Sequence, residues 1–200
     1  MNKNRKKRSK KKSTRRKRGG RNAKKRGTEY EWKVCKLVEG ISPFYMWHIG
    51  GSAPGWDNLL FADDRLGIWS FVIPIEVKSF KDKNTWIYMS KKDRRVYDQY
   101  QNYKKIYKEG GPPTTYFLRW KDPSHRPALD KWRAQPHTEI EEGMSKNGNP
   151  KIHWRYEKAM PLERFIKNLV RGKPYKKDLK KWKWLNNLQK FKIERSDKNE

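Results

Sequence analysis

The sequence contains a single cysteine, Cys35, among 200 residues. One thiol excludes an intrachain disulfide framework and a zinc site built from several cysteines. No apolar run approaches the roughly 20 residues of a membrane-spanning helix, and no apolar segment follows the basic start as in a secretory signal. No GxxxxGK[ST] run is present, so nucleotide hydrolysis is not indicated. These absences favour a soluble, intracellular protein.

Acidic residues are few in comparison with basic ones. The chain has 22 Asp and Glu against 51 Lys and Arg, which gives a net charge of +29. This balance argues against an acidic protein partner or a carrier of neutral metabolites, and it favours a polyanion, most often nucleic acid. An anionic membrane is a second polyanion, but no amphipathic basic helix at the N-terminus favours it.

The charge divides the chain into three segments. Residues 1–26 hold sixteen basic residues and no acid, which predicts a disordered arm. Residues 27–170 carry a net +6 and have the composition of a globular domain, and residues 171–200 carry +7 and form a basic helical extension. The arm is interpreted as a phosphate-binding tether or as a targeting or solubilising tail. Its candidate contacts to nucleic acid are Arg15, Arg16, Lys17, Arg18, Lys24, Lys25 and Arg26.

Hydrophobic periodicity and turn residues predict the element order of the body. Helices are expected at 28–40, 90–108, 161–170 and 179–191, and strands at 44–49, 57–62, 68–79, 86–89, 115–120 and 152–156, with a polar, irregular insertion between the last two strands. This order predicts the α/β class, with a central mixed sheet flanked by helices.

The third predicted strand contains Glu76-Val77-Lys78. Side chains alternate along a strand, so Glu76 and Lys78 share one face while Ile75 and Val77 face a core. An exposed ion pair on a solvated face is one interpretation of the two charges. A catalytic carboxylate and amine at one strand end is the other.

Asp57 follows a glycine-rich loop and opens the strand before Glu76. If the two strands form a hairpin, the two carboxylates lie close together, and they repel unless a cation lies between them. Oxygen ligands of this kind suit Mg²⁺ or Mn²⁺. The alternative for Asp57 is an Asx turn or cap, and Asp63 and Asp64 compete as carboxylates although they have the pattern of turn residues.

Glu31 is a third candidate carboxylate. It lies at the rim of the apolar stripe of the first helix, from which it can face a cleft at the sheet edge. It is also the acid of a capping box that Thr28 would begin. The pattern leaves both roles open.

Together these residues resemble the PD-(D/E)xK nuclease superfamily, most closely the Holliday junction resolvases of archaeal and phage type. Arg26-Gly27 followed by Glu31 matches their entry signature, and Gly51-Ser52 matches the loop before their metal-binding aspartate. Asp57 matches that aspartate at the start of a short apolar strand.

The remaining matches lie on the catalytic strand and the next helix. Ile75-Glu76-Val77-Lys78-Ser79 resembles the Glu-x-Lys strand, and Gln99 resembles the glutamine of the following helix. The pattern Gln99-x-x-x-Tyr103 is also similar to the RecB-type branch. The resemblance covers roughly residues 26–170.

The resemblance implies a restriction-endonuclease-like fold and a metal-dependent DNA endonuclease that resolves four-way junctions. It implies that Asp57 and Glu76 bind Mg²⁺ or Mn²⁺, that Glu31 completes or supports the metal site, and that Lys78 assists the attacking water. Ser52 would position the metal site or the scissile strand. Gln99 would complete the set of catalytic residues.

Paired cuts would require a symmetric homodimer, and the implied location is cytoplasmic or nucleoid-associated. A repair or restriction nuclease of the same superfamily is one alternative. A non-catalytic nucleic-acid-binding protein with a degenerate nuclease fold is the other.

Three departures from the family pattern affect the site, and the first is the spacing of 19 residues from Asp57 to Glu76, which implies a hairpin elongated by Asp64–Trp69. Trp56 precedes Asp57 where the family has proline, and Trp56 could stack on an unpaired base. Pro74 lies inside the catalytic strand, where it removes a ladder donor and could introduce a bulge. Outside the resemblance, Trp182 and Trp184 lie among lysines and form either a docking face or a nucleic-acid contact, of which docking is favoured.

Overall fold

The computed structural model describes residues 25–49, 55–62, 72–89, 94–140, 149–154, 157–172 and 174–189. The first helix, α1, covers residues 25–41. The later helices are α2 (Arg94–Lys108), α3 (Leu162–Val170), α4 (Lys176–Lys181) and α5 (Leu185–Gln189), with a 3-10 turn at His137–Glu139. The strands are β1 (Phe44–His48), β2 (Asn58–Ala62), β3 (Val72–Phe80), β4 (Trp86–Tyr88), β5 (Thr115–Asp122), β6 (Leu129–Pro136), β7 (Lys151–His153) and β8 (Met160–Pro161).

Six of the strands form one mixed sheet in the order β1-β2-β3-β5-β6-β8. β3 and β5 run parallel, whereas the other neighbours run antiparallel. A parallel pair needs a crossover, and α2 provides it between β3 and β5. The predicted α/β class, a central mixed sheet flanked by helices, is confirmed.

The sheet separates two hydrophobic clusters. The first cluster contains Val34 and Val38 of α1 together with Ile73 and Ile75 of β3, and it includes side chains of α3 and α5. The second cluster contains Tyr103 of α2 with residues of β5, β4 and β7. Ile73, Ile75 and Val77 therefore face a core as predicted, and Glu76 faces the opposite side of β3.

Pro74 lies within the β2–β3 pairing, where its register partner is Leu59. The carbonyl of Ile75 accepts the Asp57 N–H at 3.0 Å on the β2 side of the strand. The backbone nitrogen of Pro74 is therefore directed to the other side of β3, towards β5. Pairing of β3 with β5 begins only at Ile75, opposite Thr115. Proline therefore removes no ladder hydrogen bond there, and Glu76 remains in regular register opposite Tyr116.

Several predicted boundaries differ from the structure. The region expected to be an irregular insertion contains β6, which pairs with β5 along its whole length. Helix α1 already includes residues 25–27, so Thr28 does not begin the helix as predicted. The single last helix expected at 179–191 is instead the pair α4 and α5.

The C-terminal helices pack onto the first core cluster. Trp182, Trp184 and Leu185 are each at most 6% exposed. The indole N–H of Trp182 donates to the Glu157 carbonyl at 3.0 Å, and that of Trp184 donates to the Lys158 carbonyl at 3.1 Å. The docking role predicted for the two tryptophans is confirmed. None of the helices in the described ranges has the length and apolar content required to span a bilayer.

Candidate active site

The Glu76 carboxylate is the buried centre of the site. Its residue is only 3% exposed, and the Lys78 ammonium pairs with its Oε1 from two residues further along β3. The prediction that both side chains share a face is confirmed. The alternative of an exposed ion pair on a solvated face is wrong, because the Glu76 side chain is 4% exposed and that of Lys78 is 21% exposed.

Helix α2 holds the other oxygen of this carboxylate. The Tyr103 hydroxyl lies 2.9 Å from Glu76 Oε2, and the Gln99 amide donates to the same oxygen at 3.0 Å. Both side chains also reach the Gly55 carbonyl, at 3.1 Å from Tyr103 and 2.6 Å from Gln99. Residues four apart share one face of a helix, so Gln99 and Tyr103 fix Glu76 and the chain before β2 together.

Asp57 lies beside Glu76. Its side chain accepts a backbone hydrogen bond from β3 and so extends the pairing of β2 with β3. Its Oδ2 accepts the Val77 N–H at 2.7 Å, while its own N–H donates to the Ile75 carbonyl at 3.0 Å. The carboxylate thus binds the strand that carries Glu76, and it does not form the Asx turn considered for it. Within the described ranges, no donor reaches its Oδ1.

Asp57 and Glu76 are neighbouring carboxylates whose negative charges repel each other. Burial and then the charge of Glu76 raise the pKa of Asp57 to about 7, against the lowering effect of the Val77 N–H. Burial lowers the pKa of Lys78, but the charge and hydrogen bond of Glu76 outweigh it, so the pKa lies above its usual value. Lys78 is therefore charged near neutral pH, while Asp57 is close to half-protonated without a further cation.

Glu31 lies on α1 at the rim of the site. Its Oε2 is 3.7 Å from His48 Nδ1, which also contacts Asn58 Oδ1 at 3.2 Å. Burial, opposed by His48 and reinforced by Glu76, raises the pKa of Glu31. Because α1 extends to residue 25, the capping-box role is wrong, and Glu31 instead faces the edge of β1.

The donor set fits a divalent ion only in part. Asp57 and Glu76 are neighbouring carboxylates whose mutual repulsion a cation would relieve, and hard oxygen donors suit Mg²⁺ or Mn²⁺. Within the described ranges, however, no three His, Cys, Asp or Glu side chains form a ligand set. Glu31 therefore does not join the pair as a third ligand in this arrangement.

Several residues considered from the sequence lie elsewhere. Ser52, Asp63, Asp64 and the arm residues Arg15, Arg16, Lys17, Arg18 and Lys24 lie outside the described residues. Lys25 and Arg26 are exposed in the first turns of α1 that the structure describes. Trp56 is half-buried, donates to Thr114 Oγ1 at 2.9 Å and stacks on Tyr103, so its ring is engaged within the protein.

Sequence reasoning assigned no role at the site to His48, Asn58 and the Tyr103 hydroxyl. For Tyr103 the available signal is the Gln99-x-x-x-Tyr103 spacing, which places both side chains on one face of the helix. Asn58 is fully buried beside Asp57, and its Oδ1 accepts contacts from both His48 and Cys35. An asparagine inside an apolar strand was the available signal for this polar contact.

Comparison with known proteins gives a limited result. The chain matches no protein-family model and no curated protein. Eleven chains of solved structures are similar to it. One is Hjc of Archaeoglobus fulgidus, a Holliday junction resolvase from an archaeal hyperthermophile, with 17% identity and a TM-score of 0.46 over 70% of this chain and 98% of that chain.

Proposed function

We propose that this protein is a metal-dependent DNA endonuclease of the Holliday junction resolvase type. The observation that carries the proposal is the convergence of Asp57, Glu76 and Lys78, with Glu76 buried and tied to α2. Burying two carboxylates side by side is costly, so such a pair indicates a functional site. The charge of +29 supports a nucleic-acid substrate.

In this proposal Asp57 and Glu76 hold Mg²⁺ or Mn²⁺, and Glu31 supports them from α1. A bound ion of this kind polarises a phosphoryl oxygen and lowers the pKa of water. Lys78, kept charged by Glu76, orients the attacking water and offsets charge on the phosphate in the transition state. Gln99 and Tyr103 are positioning residues, because they hold the Glu76 carboxylate in one orientation.

The reaction is hydrolysis of a phosphodiester. The oxygen of water forms a bond to phosphorus, the bond from phosphorus to the 3′ oxygen breaks in line, and the proton passes to the leaving oxygen. The arm would grip duplex DNA through its phosphates, which gives affinity that falls steeply with salt. Paired cuts on a four-way junction require two such sites, so we expect a symmetric homodimer.

A second candidate function is non-catalytic binding of nucleic acid by a degenerate nuclease fold. One observation favours it: both Glu76 oxygens already accept protein donors, from Lys78 on one side and from Gln99 and Tyr103 on the other. An ion would have to displace at least one of these donors. A repair or restriction nuclease is a third possibility, which differs from the first only in the DNA that is cut.

The test uses a synthetic four-way junction, a linear duplex and a single strand, each incubated with and without Mg²⁺. We expect Mg²⁺-dependent cutting of the junction, and a loss of at least about a thousandfold in rate for Asp57→Asn and for Glu76→Gln, since both remove a metal ligand. DNA binding in EDTA should stay unchanged. The matched control is Asp82→Asn, an exposed aspartate that caps Asn84 N–H outside the site.

Metal binding has a readout that does not depend on cleavage. Mg²⁺ should raise the melting temperature of the wild type and of Asp82→Asn, but not that of Asp57→Asn. Cutting by Asp57→Asn at the wild-type rate would contradict the assignment. Tight DNA binding without any cutting, together with no effect of Mg²⁺ on melting, would establish the non-catalytic alternative.

A further inference from the structure

Strands β4 and β7 form a two-stranded antiparallel ribbon outside the central sheet. Ile87 pairs with Ile152, and both belong to the second core cluster. Trp86 pairs with His153, and Tyr88 pairs with Lys151. Since side chains alternate along a strand, these four residues share the outer face of the ribbon, opposite the core.

This outer face combines aromatic rings with positive charge. The Trp86 ring stacks on His153 with centroids 4.4 Å apart, and Lys151 Nζ lies 4.1 Å from the Trp86 centroid. The neighbouring Tyr88 is 50% exposed. Burying a tyrosine ring is favourable, so an exposed ring next to a second ring and a cation marks a surface suited to a flat, anionic partner.

The ribbon is anchored on the sheet face that carries Glu76. Met89 follows Tyr88, is fully buried, and donates its N–H to the Pro150 carbonyl at 2.8 Å. The Tyr116 hydroxyl lies 3.9 Å from the Met89 sulfur, and Tyr116 is the register partner of Glu76. Tyr116 therefore links the residue that follows β4 to the strand position beside Glu76.

We propose that the outer face of this ribbon, formed by Trp86, Tyr88, Lys151 and His153, binds single-stranded DNA by stacking its bases. The inference rests on the proposed function, and it names the form of DNA held beside the site. Alternate residues of a strand lie about 6.6 Å apart, roughly twice the 3.4 Å rise of stacked bases, which suits a strand drawn out of its duplex. Stacking on aromatic rings tolerates any base, and the lysine offsets phosphate charge.

The exposed aromatic surface on β1 provides a matched contrast. Tyr45 is 48% exposed, close to the exposure of Tyr88, and it lies on β1, an edge strand of the six-stranded sheet. Tyr45 therefore serves as a control of the same residue type and exposure.

The experiment measures binding of a fluorescent oligothymidylate and of a blunt duplex by the full chain in EDTA, at several NaCl concentrations. Tyr88→Ala and Trp86→Ala should each weaken binding of the single strand about tenfold, with no change in the salt slope, since a ring contributes no counterion release. Tyr88→Phe should bind like the wild type. Tyr45→Ala should also bind like the wild type, and duplex affinity should change less than twofold.

The proposal is overturned if Tyr88→Ala binds the single strand normally, if Tyr88→Phe is as weak as Tyr88→Ala, or if Tyr45→Ala loses as much affinity. Melting curves of each variant establish that the half-exposed positions leave folding intact. Because these measurements exclude Mg²⁺ and cleavage, they succeed or fail independently of the catalytic assignment. Loss of cutting in Asp57→Asn with normal strand binding would leave this inference standing.

Discussion

Two carboxylates in this protein, the buried Asp178 and the half-buried Asp57, have opposite surroundings. Asp178, 1% exposed, accepts hydrogen bonds at Oδ2 from Arg164 Nε at 2.9 Å and Asn168 Nδ2 at 2.8 Å. Burial raises the pKa of Asp178. The two donors and the charge of Arg164 lower this pKa by more than burial raises it, so it lies below its usual value. Asp57 has the Val77 N–H as its described donor and faces Glu76, which leaves its pKa near 7.

The difference separates a structural carboxylate from the one that we propose to be functional. At Asp178 the effect of burial on the pKa is outweighed by Arg164 and Asn168 of the same chain, so the group stabilises the junction of α3 and α4. At Asp57 the repulsion from the Glu76 carboxylate remains, and a group from outside the chain would have to relieve it. A protein that retains this cost is expected to gain function from it.

The largest effect expected on stability comes from breaking the structural carboxylate. Asp178→Ala should lower the free energy of unfolding by about 3 kcal/mol, because Arg164 and Asn168 lose their acceptor inside the protein. Chemical denaturation at neutral pH measures it. The control is Glu109→Ala, an exposed acid 3.9 Å from Lys105, which should change stability by less than about 0.5 kcal/mol. Equal losses of stability in Asp178→Ala and Glu109→Ala would contradict the structural role of Asp178.

Asp57 should show the reverse behaviour with pH. A carboxyl whose pKa is raised on folding binds its proton more tightly in the folded state, so its contribution is full below about pH 4 and is lost as the pH rises through about 7. In EDTA, the wild type should therefore lose about 2 kcal/mol more stability between pH 5 and pH 8 than Asp57→Asn. If stability changed with pH in the same way in the wild type and in Asp57→Asn, the raised pKa of Asp57 would be contradicted.

The smallest effect concerns the hydroxyl that holds Glu76. Tyr103→Phe keeps the stack on Trp56 but removes the hydroxyl 2.9 Å from Glu76 Oε2, which should cost about 1 kcal/mol of stability. Tyr30→Phe is the control, since the Tyr30 ring lies under Arg119 and no described hydrogen bond involves its hydroxyl. A Tyr103→Phe protein as stable as the wild type would mean that Gln99 alone orients the carboxylate.

The sequence predicts the parts of the site that depend on local periodicity. Alternation along β3 places Glu76 and Lys78 together, and the hairpin places Asp57 beside them. It cannot place the Tyr103 hydroxyl on Glu76, because that contact depends on how α2 packs after the crossover to β5. The Glu31–His48 contact likewise depends on the position of α1 against the edge strand.

The fold shows the same limit. β3 was recognised from its apolar alternation, whereas β6 was missed because Leu129–Pro136 is polar along most of its length. Its ladder with β5 and its contact with α3 make it a strand, and both are tertiary effects. Pro74 was misread for a related reason, since the edge to which its nitrogen is directed depends on where the neighbouring strand begins.

The two indole N–H groups of Trp182 and Trp184 have a consequence for shortened forms of the chain. Both clamp the carbonyls of residues 157–158, immediately before β8 and α3. A carboxypeptidase or a premature stop codon that removed these tryptophans would release that turn and uncover the inner face of α3. Shortened chains of this kind are expected to aggregate, even though the entire β3 strand is still present.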